Sequence, residues 1–207
     1  MYQPDFHRET RLDVQQALIQ SHPFGLLISN GASGLLANAI PFILQPASGA
    51  LGTLECHVAR ANNQWRDIDN QHALVVFQGP QSYVSPSFYE TKRETGKVVP
   101  TWNYAMVQVR GIARLRAEPA WLDRQIQALT AQHESERSPS WAVSDAPRAY
   151  IESQLRGIMG IEIEIAAIEG KWKVSQNRPE ADRRGVAEGL SQSNPAMADL
   201  VKRYGSV

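Results

Sequence analysis

The sequence predicts a mainly β protein, a small antiparallel barrel with helices at its periphery. Apolar segments of strand length recur along the chain, and short turns rich in Gly, Asn and Pro separate them. Patterns with the helical period appear at the start and again in the second half, as expected when strands form the core and helices cover it. With 207 residues and 43% hydrophobic content, the chain can bury such a core.

The first third of the chain predicts one helix followed by a meander of strands. Asp13 is an N-cap candidate with Gln16 three residues later, and the helix is expected to end near His22. Turns that contain Gly and Asn permit tight antiparallel hairpins between the next apolar segments. Strands are expected over residues 24–29, 35–44 and 50–56. Pro41 lacks a backbone N–H, which places its strand at an edge or a bulge.

The remaining two thirds predict further strands with helices between them. A long alternating strand over residues 103–116 is expected to bend at Gly111. A strand over residues 158–168 puts three isoleucines on one side and Glu162 and Glu164 on a solvated side. The other predicted elements are a helical turn over 63–69, a buried strand over 73–78, and helices over 119–132, over 147–155, after Pro179 and after Pro195. The domain prediction is a barrel domain over 1–178 with inserted helices, and a C-terminal helical extension over 179–207 packed on it.

Charge and cysteine content narrow the function classes. Lys plus Arg and Asp plus Glu both number 21, so no net charge draws the chain to nucleic acid or to an anionic membrane. Cys56 is the single cysteine, which excludes an internal disulfide and a multi-cysteine metal site. No signal-peptide pattern is present, and no apolar run reaches the roughly 20 residues of a membrane helix. The single cysteine and the lack of a signal pattern lead us to expect a cytoplasmic protein. The five histidines are scattered, so we expect no metal site.

Residues 77–104 carry the clearest local signal of function. They hold six of the sixteen aromatic residues, interleaved with Gly, Pro, Ser, Thr, Asn and Gln. Because Gly and Pro interrupt regular structure, we expect an irregular loop here. Aromatic faces beside amides and hydroxyls suit a planar polar ligand. A dimer interface without cofactor is the alternative, since Tyr and Trp are also enriched in protein contacts.

Two further segments concentrate polar and aromatic residues. In residues 57–65, which follow a strand, the guanidinium of Arg60 and the amide of Asn62 could hold a phosphate. The alternative for this segment is a capped turn before a short helix, with Trp65 in the core. Residues 171–178 place a Trp, two Lys and an Arg beside an amide pair. Cys56 ends an apolar strand and is expected to be a small buried hydrophobe.

Five motifs follow one another along the chain. They are His57-x-Ala-Arg-x-Asn-x-Gln-Trp65, Phe77-Gln-Gly-Pro-x-x-Tyr-Val-Ser-Pro-Ser-x-Tyr89, Val99-Pro-Thr-Trp-Asn-Tyr104, Leu155-Arg-Gly-Ile158 and Ser175-Gln-Asn-Arg178. In these motifs and in their order, the chain resembles the PaiB family of FMN-binding split-barrel proteins. The resemblance covers nearly the whole chain.

The resemblance implies a split β-barrel related to pyridoxamine phosphate oxidase, with FMN as cofactor. It implies a homodimer with flavin sites at the subunit interface, and a role as a negative transcriptional regulator or a flavin-dependent sensor. DNA binding follows from the family's label alone, since the sequence has no helix-turn-helix signature and no basic recognition helix. Two alternatives stay open: a flavin-dependent oxidoreductase acting on a small molecule, and a haem-binding or haem-degrading protein with His57 as axial ligand.

The resemblance also implies a set of cofactor-binding residues. Arg60 and Asn62 would bind the FMN phosphate, with His57 at the same strand end. Tyr83 and Ser85 would contact the phosphate or the ribityl chain. The others would reach, line or close the flavin pocket, the last four from the same chain or from the partner subunit: Gln78, Trp102, Asn103, Lys173, Ser175, Gln176 and Asn177. No general acid or base is identified, so any catalytic residue stays unassigned.

Overall fold

The computed structural model describes residues 1–32 and 34–205, so Ser33 in the first predicted hairpin turn lies outside the described residues. Its strands are β1 (Arg8–Glu9), β2 (Phe24–Gly31), β3 (Gly34–Pro41), β4 (Ile43–Gln45), β5 (Thr53–Ala59), β6 (His72–Val84), β7 (Thr101–Arg116) and β8 (Ile158–Lys173). Its helices are α1 (Leu12–Ser21), α2 (Gln64–Ile68), α3 (Glu90–Glu94), α4 (Pro119–Glu134), α5 (Arg148–Arg156), α6 (Glu180–Leu190) and α7 (Pro195–Gly205). This architecture confirms the prediction of a mainly β protein with added helices.

The strands form one antiparallel sheet in the order β3-β2-β6-β7-β8-β5-β4, with β1 paired to β8. β2 and β3 form the predicted hairpin, and β3 is the edge strand that Pro41 predicts. The predicted meander stops there, because β4 and β5 form a second hairpin at the other end of the order. β5 pairs with β8, with Cys56 opposite Ile161, and both side chains are fully buried. Burial against the isoleucines of β8 therefore decides where β5 lies.

Two predicted strand boundaries are wrong. The predicted strand 35–44 is two strands, β3 and β4, separated at Phe42, whose backbone N–H donates to the carbonyl of Pro23 at 2.9 Å. The predicted strand 50–56 begins instead at Thr53. Gly49 and Gly52 before it have φ values of 75° and 100°, in the left-handed region that interrupts a strand.

The helices follow their predicted positions closely. α1 begins at Leu12, which places Asp13 in the first turn rather than at the N-cap. α4 begins at Pro119, where the fixed φ of proline suits a first helical residue. α6 follows Pro179 and α7 begins at Pro195. In the part of the chain that the structure describes, no helix is long and apolar enough to cross a membrane.

The chain forms two compact units. Unit 1 comprises Met1–Leu18, Gln78–Val107 and Glu169–Val207. Unit 2 comprises Ile19–Phe77 and Gln108–Ile168. Residues 179–207 thus belong to unit 1, together with the N-terminal residues and most of the aromatic-rich segment.

In unit 2, strand alternation puts apolar side chains on a buried face. β8 confirms the predicted pattern, since Ile161, Ile163 and Ile165 are buried and Glu164 is exposed. Gly111 of β7 lies where β8 approaches closely, because a β-carbon there would overlap the carbonyl oxygen of Glu164. The glycine that the sequence singles out is therefore required by strand packing.

The aromatic-rich segment in unit 1 is more regular than predicted. β6 continues to Val84 through Gly79 and Pro80, and the short helix α3 follows. An added β-carbon at Gly79 would lie 2.9 Å from a methyl carbon of Leu18, so this glycine makes room for α1. β8 likewise runs on to Lys173, so the polar segment 171–178 begins as a strand. The expectation of an irregular loop is therefore wrong for residues 77–84 and 101–104, which are strand, but it holds for residues 95–100, which lie outside any helix or strand.

Candidate functional site

The predicted site residues fall into two groups. His57, Arg60 and Asn62 belong to unit 2, at the end of β5 and in the turn after it. The rest belong to unit 1: Gln78, Tyr83, Ser85, Trp102, Asn103, Lys173, Ser175, Gln176 and Asn177.

His57 is held in a fixed orientation by a buried glutamine. The Nδ1 atom of His57 lies 2.7 Å from Oε1 of Gln125 on α4, and Gln125 is fully buried. This contact fixes the orientation of the imidazole ring. Sequence reasoning missed Gln125, although a polar residue three positions after the buried Leu122 on a helix is a usable signal.

The turn after β5 is capped by its own groups. The backbone N–H of Arg60 donates to the carbonyl oxygen of Gly157 at 2.8 Å. The carbonyl oxygen of Arg60 accepts from the indole N–H of Trp65 at 2.9 Å. The side-chain oxygen of Asn62 accepts from the N–H of Gln64 at 3.0 Å. The capped turn is therefore present, but Trp65 is half-buried rather than in the core.

The guanidinium of Arg60 stays available in this turn. Among the described side chains it has no hydrogen-bond partner and no carboxylate partner, and the residue is half-buried. The backbone of Arg60 is held by hydrogen bonds, while its guanidinium has no partner among the described side chains. This arrangement suits the guanidinium to binding a phosphate. The turn thus satisfies its own backbone groups and still offers a cation.

Buried charges elsewhere in unit 2 are neutralised. Glu55 on β5 is buried, and its oxygens lie 3.1–3.2 Å from the guanidinium of Arg124. Glu162 stands opposite Glu55 on β8, and its carboxylate lies 2.6 Å from the guanidinium of Arg116. The expectation of a fully solvated face holds for Glu164 but is wrong for Glu162, which is half-buried in this pair.

Cys56 confirms the prediction of a small buried hydrophobe. Its side chain is fully buried, and burial raises the pKa of the thiol. A thiol that resists ionisation is a poor nucleophile, so we assign Cys56 to packing.

In unit 1, Tyr83 and Trp102 form an exposed aromatic pair. Their ring centroids lie 6.2 Å apart at an interplanar angle of 61°. The indole N–H of Trp102 donates to Oε1 of Gln81 at 2.6 Å, and the carbonyl of Gln81 accepts from Asn194 at 2.8 Å. About half of each ring residue is exposed, so fixed aromatic faces are open to a ligand.

Several predicted amides and hydroxyls in unit 1 are occupied by protein partners. The buried Asn103 donates to the hydroxyl of Ser175 at 2.9 Å, and Ser175 has a φ of 69°, in the left-handed region. The side-chain oxygen of Gln176 accepts from the N–H of Val174 at 2.8 Å and lies 3.0 Å from Nδ1 of His7. These residues shape the turn after β8, which indicates a positioning role.

The other polar residues predicted in unit 1 lie nearer the surface. The hydroxyl of Ser85 accepts from the N–H of Ser87 at 3.1 Å and caps the 3₁₀ turn Pro86–Phe88. Gln78 and Asn177 are exposed. Ser85 is therefore partly used by the fold, whereas the two amides are accessible to solvent.

Positive charge gathers on the unit 1 part of β8 and in the turn after it. Lys173 donates to the hydroxyl of Thr101 and, at 2.7 Å, to the carbonyl of Trp102. Burial, then the charges of Lys171 and Arg178, lower the pKa of Lys173. Lys171 and Arg178 therefore lie close enough to Lys173 to disfavour its charged form. Sequence reasoning had assigned only Lys173.

His7 is a fourth member of this group that sequence reasoning missed. Its side chain is buried, and burial lowers its pKa, as do the nearby Lys173 and Lys171. The hydrogen bond with Gln176 acts in the opposite direction. No pattern around His7 distinguishes it from the scattered histidines of the chain.

Comparison with known proteins gives a family and relatives. A family model described as "Putative FMN-binding domain" matches residues 1–167. The chain is 30% identical to the protease synthase and sporulation protein PAI 2 of Bacillus subtilis, over 98% of this chain and 97% of that protein. It is 34% identical to an uncharacterized protein of Emericella nidulans, over 100% of this chain and 98% of that protein.

Solved structures share the fold at low sequence identity. The FAD and haem binding protein from Mycobacterium smegmatis matches with a TM-score of 0.59 at 15% identity, over 81% of this chain and 73% of that one. The flavocytochrome Anf3 from Azotobacter vinelandii matches with a TM-score of 0.58 at 11% identity, over 81% of this chain and 69% of that one. These likenesses concern the fold alone, and they confirm the predicted split barrel.

Proposed function

The chain belongs to the FMN-binding domain family whose model matches residues 1–167, and on that premise we propose that it is a flavin-dependent sensor or regulator that acts as a homodimer. The predicted resemblance to the PaiB family and the predicted FMN cofactor are confirmed by that match and by the likeness to PAI 2. Which residues hold FMN, what it is used for and how the chain assembles are the proposal.

The observation that carries the proposal is the guanidinium of Arg60, which has no partner among the described side chains. A cation fixed at its backbone and free of carboxylates fits the dianionic phosphate of FMN. The exposed faces of Tyr83 and Trp102 fit a planar ring. Asn103, Ser175 and Gln176 already form hydrogen bonds within the protein, so we assign them to supporting the turn after β8. Bound FMN supplies the electron-transfer chemistry, and the protein supplies phosphate recognition and aromatic contact.

The regulatory part of the proposal rests on the Bacillus relative. Its name refers to protease synthesis and sporulation, which are cellular programmes rather than one reaction. A protein that influences such programmes through a bound flavin would respond to the flavin's presence or redox state. The chain carries 21 basic and 21 acidic residues, so we propose control by flavin state without a general electrostatic attraction to DNA.

An exposed apolar face in unit 2 supports the homodimer. Phe24 and Leu26 of β2 and Leu35 of β3 are 66%, 39% and 80% exposed. The register places Leu26 opposite Ala39, so these strands share one apolar face. Exposed apolar side chains on one face of a hairpin favour an interface, and a two-fold dimer would cover the same face on both copies.

The purified protein gives the first test. FMN is added, excess is removed, and absorbance is followed during size-exclusion chromatography with mass detection. We expect flavin bands that co-elute at the dimer mass, and slow bleaching with NADH or NADPH. Rapid turnover would favour the oxidoreductase alternative. A colourless protein or a monomer would contradict the cofactor site or the assembly.

Arg60→Ala tests the phosphate assignment directly. Loss of charge-assisted hydrogen bonds is expected to weaken FMN binding by about 2 kcal/mol, roughly 30-fold. Riboflavin, which lacks the phosphate, should bind the variant and the unaltered protein equally. Arg66→Ala is the matched control, because Arg66 is exposed on α2 and stacks on Trp65. Equal FMN affinity in both variants would remove Arg60 from the site.

A further inference from the structure

Lys171 is a buried cation without an anionic partner. The residue is 7% exposed, and its ammonium donates to the carbonyl of Tyr2 at 2.9 Å. The same ammonium lies 5.2 Å from the ring centroid of Tyr2 and 5.4 Å from that of Tyr104. Lysine is almost never buried to this degree without a carboxylate. Within residues 1–32 and 34–205, Lys171 forms no ion pair.

Two further cations add to this charge. Lys173 follows two residues later on the same face of β8, and Arg178 lies in the turn beyond, with its guanidinium 4.8 Å from the ring centroid of Tyr89. Burial lowers the pKa of both Lys173 and His7, and the charge of Lys171 adds to that shift at each of them. Neither Lys173 nor Arg178 pairs with a carboxylate among the described residues. A like-charge group of this kind costs free energy unless an anion neutralises it.

The nearest carboxylates along the paired strands are committed elsewhere. Glu9 of β1 binds the guanidinium of Arg11 at 2.6 Å. Glu169, two residues before Lys171 on β8, pairs with the amino terminus of Met1 at 3.2 Å. These two carboxylates therefore already have other cationic partners.

We propose that Lys171, Lys173 and Arg178, with His7, form a binding site for a small oxyanion, a carboxylate or a phosphate, separate from the flavin phosphate. The ligand is small because Lys171 is buried. The resemblance placed Lys173 at the flavin pocket, and its position beside the buried Lys171 leads us to assign it to this anion site instead. All three cations lie beyond residue 167, where the match to the FMN-binding domain ends. This inference rests on the proposed function in one respect, the assignment of the flavin phosphate to Arg60. If the protein is a sensor, the molecule that regulates it at this second site is an anion.

Titration with inorganic phosphate tests the site. Isothermal calorimetry is run on FMN-saturated protein at constant ionic strength, with Lys171→Met, Lys173→Met and the control Lys97→Met. Lys97 is exposed in the loop after α3, so its replacement removes the same charge from unit 1 without touching the cluster. We expect one saturable site per chain, weakened at least about tenfold in the first two variants and unchanged in the third.

The outcomes separate this proposal from the flavin assignment. Absence of saturable phosphate binding, or equal binding by Lys171→Met and by the unaltered protein, would overturn the anion site. Phosphate that displaces FMN competitively would overturn it too, by making the cluster the flavin phosphate site. The absorbance experiment shows independently whether the protein binds FMN. If it does not, phosphate titration of the flavin-free protein still tests the anion site. Thermal melts check that each variant is folded. If Lys171→Met does not fold, the titration of Lys173→Met still tests the site.

Discussion

The two parts of β8 treat charge in opposite ways. In unit 2, Glu162 of this strand pairs with Arg116, and the neighbouring Glu55 pairs with Arg124. In unit 1, Lys171 and Lys173 lie on one face of the same strand without a carboxylate partner among the described residues. Charge that is neutralised inside the protein holds the fold, whereas charge left unneutralised at similar burial indicates a ligand.

The register explains why the unit 2 charges need their partners. Glu55 and Glu162 stand directly opposite on paired strands, where like charges destabilise the sheet. An arginine on each carboxylate removes that repulsion. No carboxylate among the described residues pairs with Lys171 or Lys173. The repulsion between these two ammonium groups therefore persists until a ligand anion binds.

The largest expected effect comes from breaking a neutralised pair. Glu55→Ala removes a buried carboxylate and its hydrogen bonds to Arg124, and leaves Arg124 without that partner. We expect the free energy of unfolding to fall by about 2 kcal/mol, measured by urea denaturation. Arg124 is half-exposed, so its charge regains water, and the loss stays below that of a fully buried pair.

Glu164→Ala is the control for that loss. Glu164 lies on the same strand as Glu162 but is exposed, and its replacement should change the unfolding free energy by less than about 0.5 kcal/mol. Equal losses in the two variants would show that pairing at Glu55 adds nothing.

The fold was largely readable from the sequence, because its signals are local. Alternating isoleucines predicted β8, and prolines marked the starts of α4, α6 and α7. Pairing between distant strands has no local signal, which is why the meander was wrong. Gly79 and Pro80 gave a false signal of irregular structure, since the space that Gly79 leaves is filled by Leu18 from another element.

The site was readable in part, because residue type does not reveal which groups the fold uses. Arg60, Tyr83 and Trp102 keep surfaces that a ligand could meet, and their roles stay a prediction. Asn103 and Gln176 are of the same polar class, yet the fold spends their amides on other residues. Gln125, His7 and Lys171 were missed because burial, which makes them unusual, arises only from tertiary packing.

The next effect sharpens the comparison inside unit 1, at the buried and neutralised carboxylate of Glu9. Burial opposes ionisation of Glu9, but hydrogen bonds from Arg11 and Tyr204 outweigh it and lower its pKa from 4.5 to about 2. The folded protein thus binds fewer protons at this carboxylate than the unfolded chain does. This stabilisation is present above about pH 4.5 and is lost as pH falls through about 2.

Glu9→Gln should therefore cost about 1.5 kcal/mol near neutral pH, with the difference closing towards about pH 2. Urea midpoints of both proteins across that pH range give the measurement. A difference that stays constant with pH would mean that Glu9 acts by packing and not by its charge.

The smallest effect has the opposite sign and tests the unneutralised group. Lys171→Met removes an unpaired buried ammonium and keeps a chain of similar length. In phosphate-free buffer we expect the free energy of unfolding to rise by about 1 kcal/mol, because no partner charge is lost. Added phosphate should stabilise the unaltered protein and not the variant, so the order of stability reverses as the anion occupies its site. A loss of stability in phosphate-free buffer would mean that Lys171 is part of the fold's own support, as Glu55 is in unit 2.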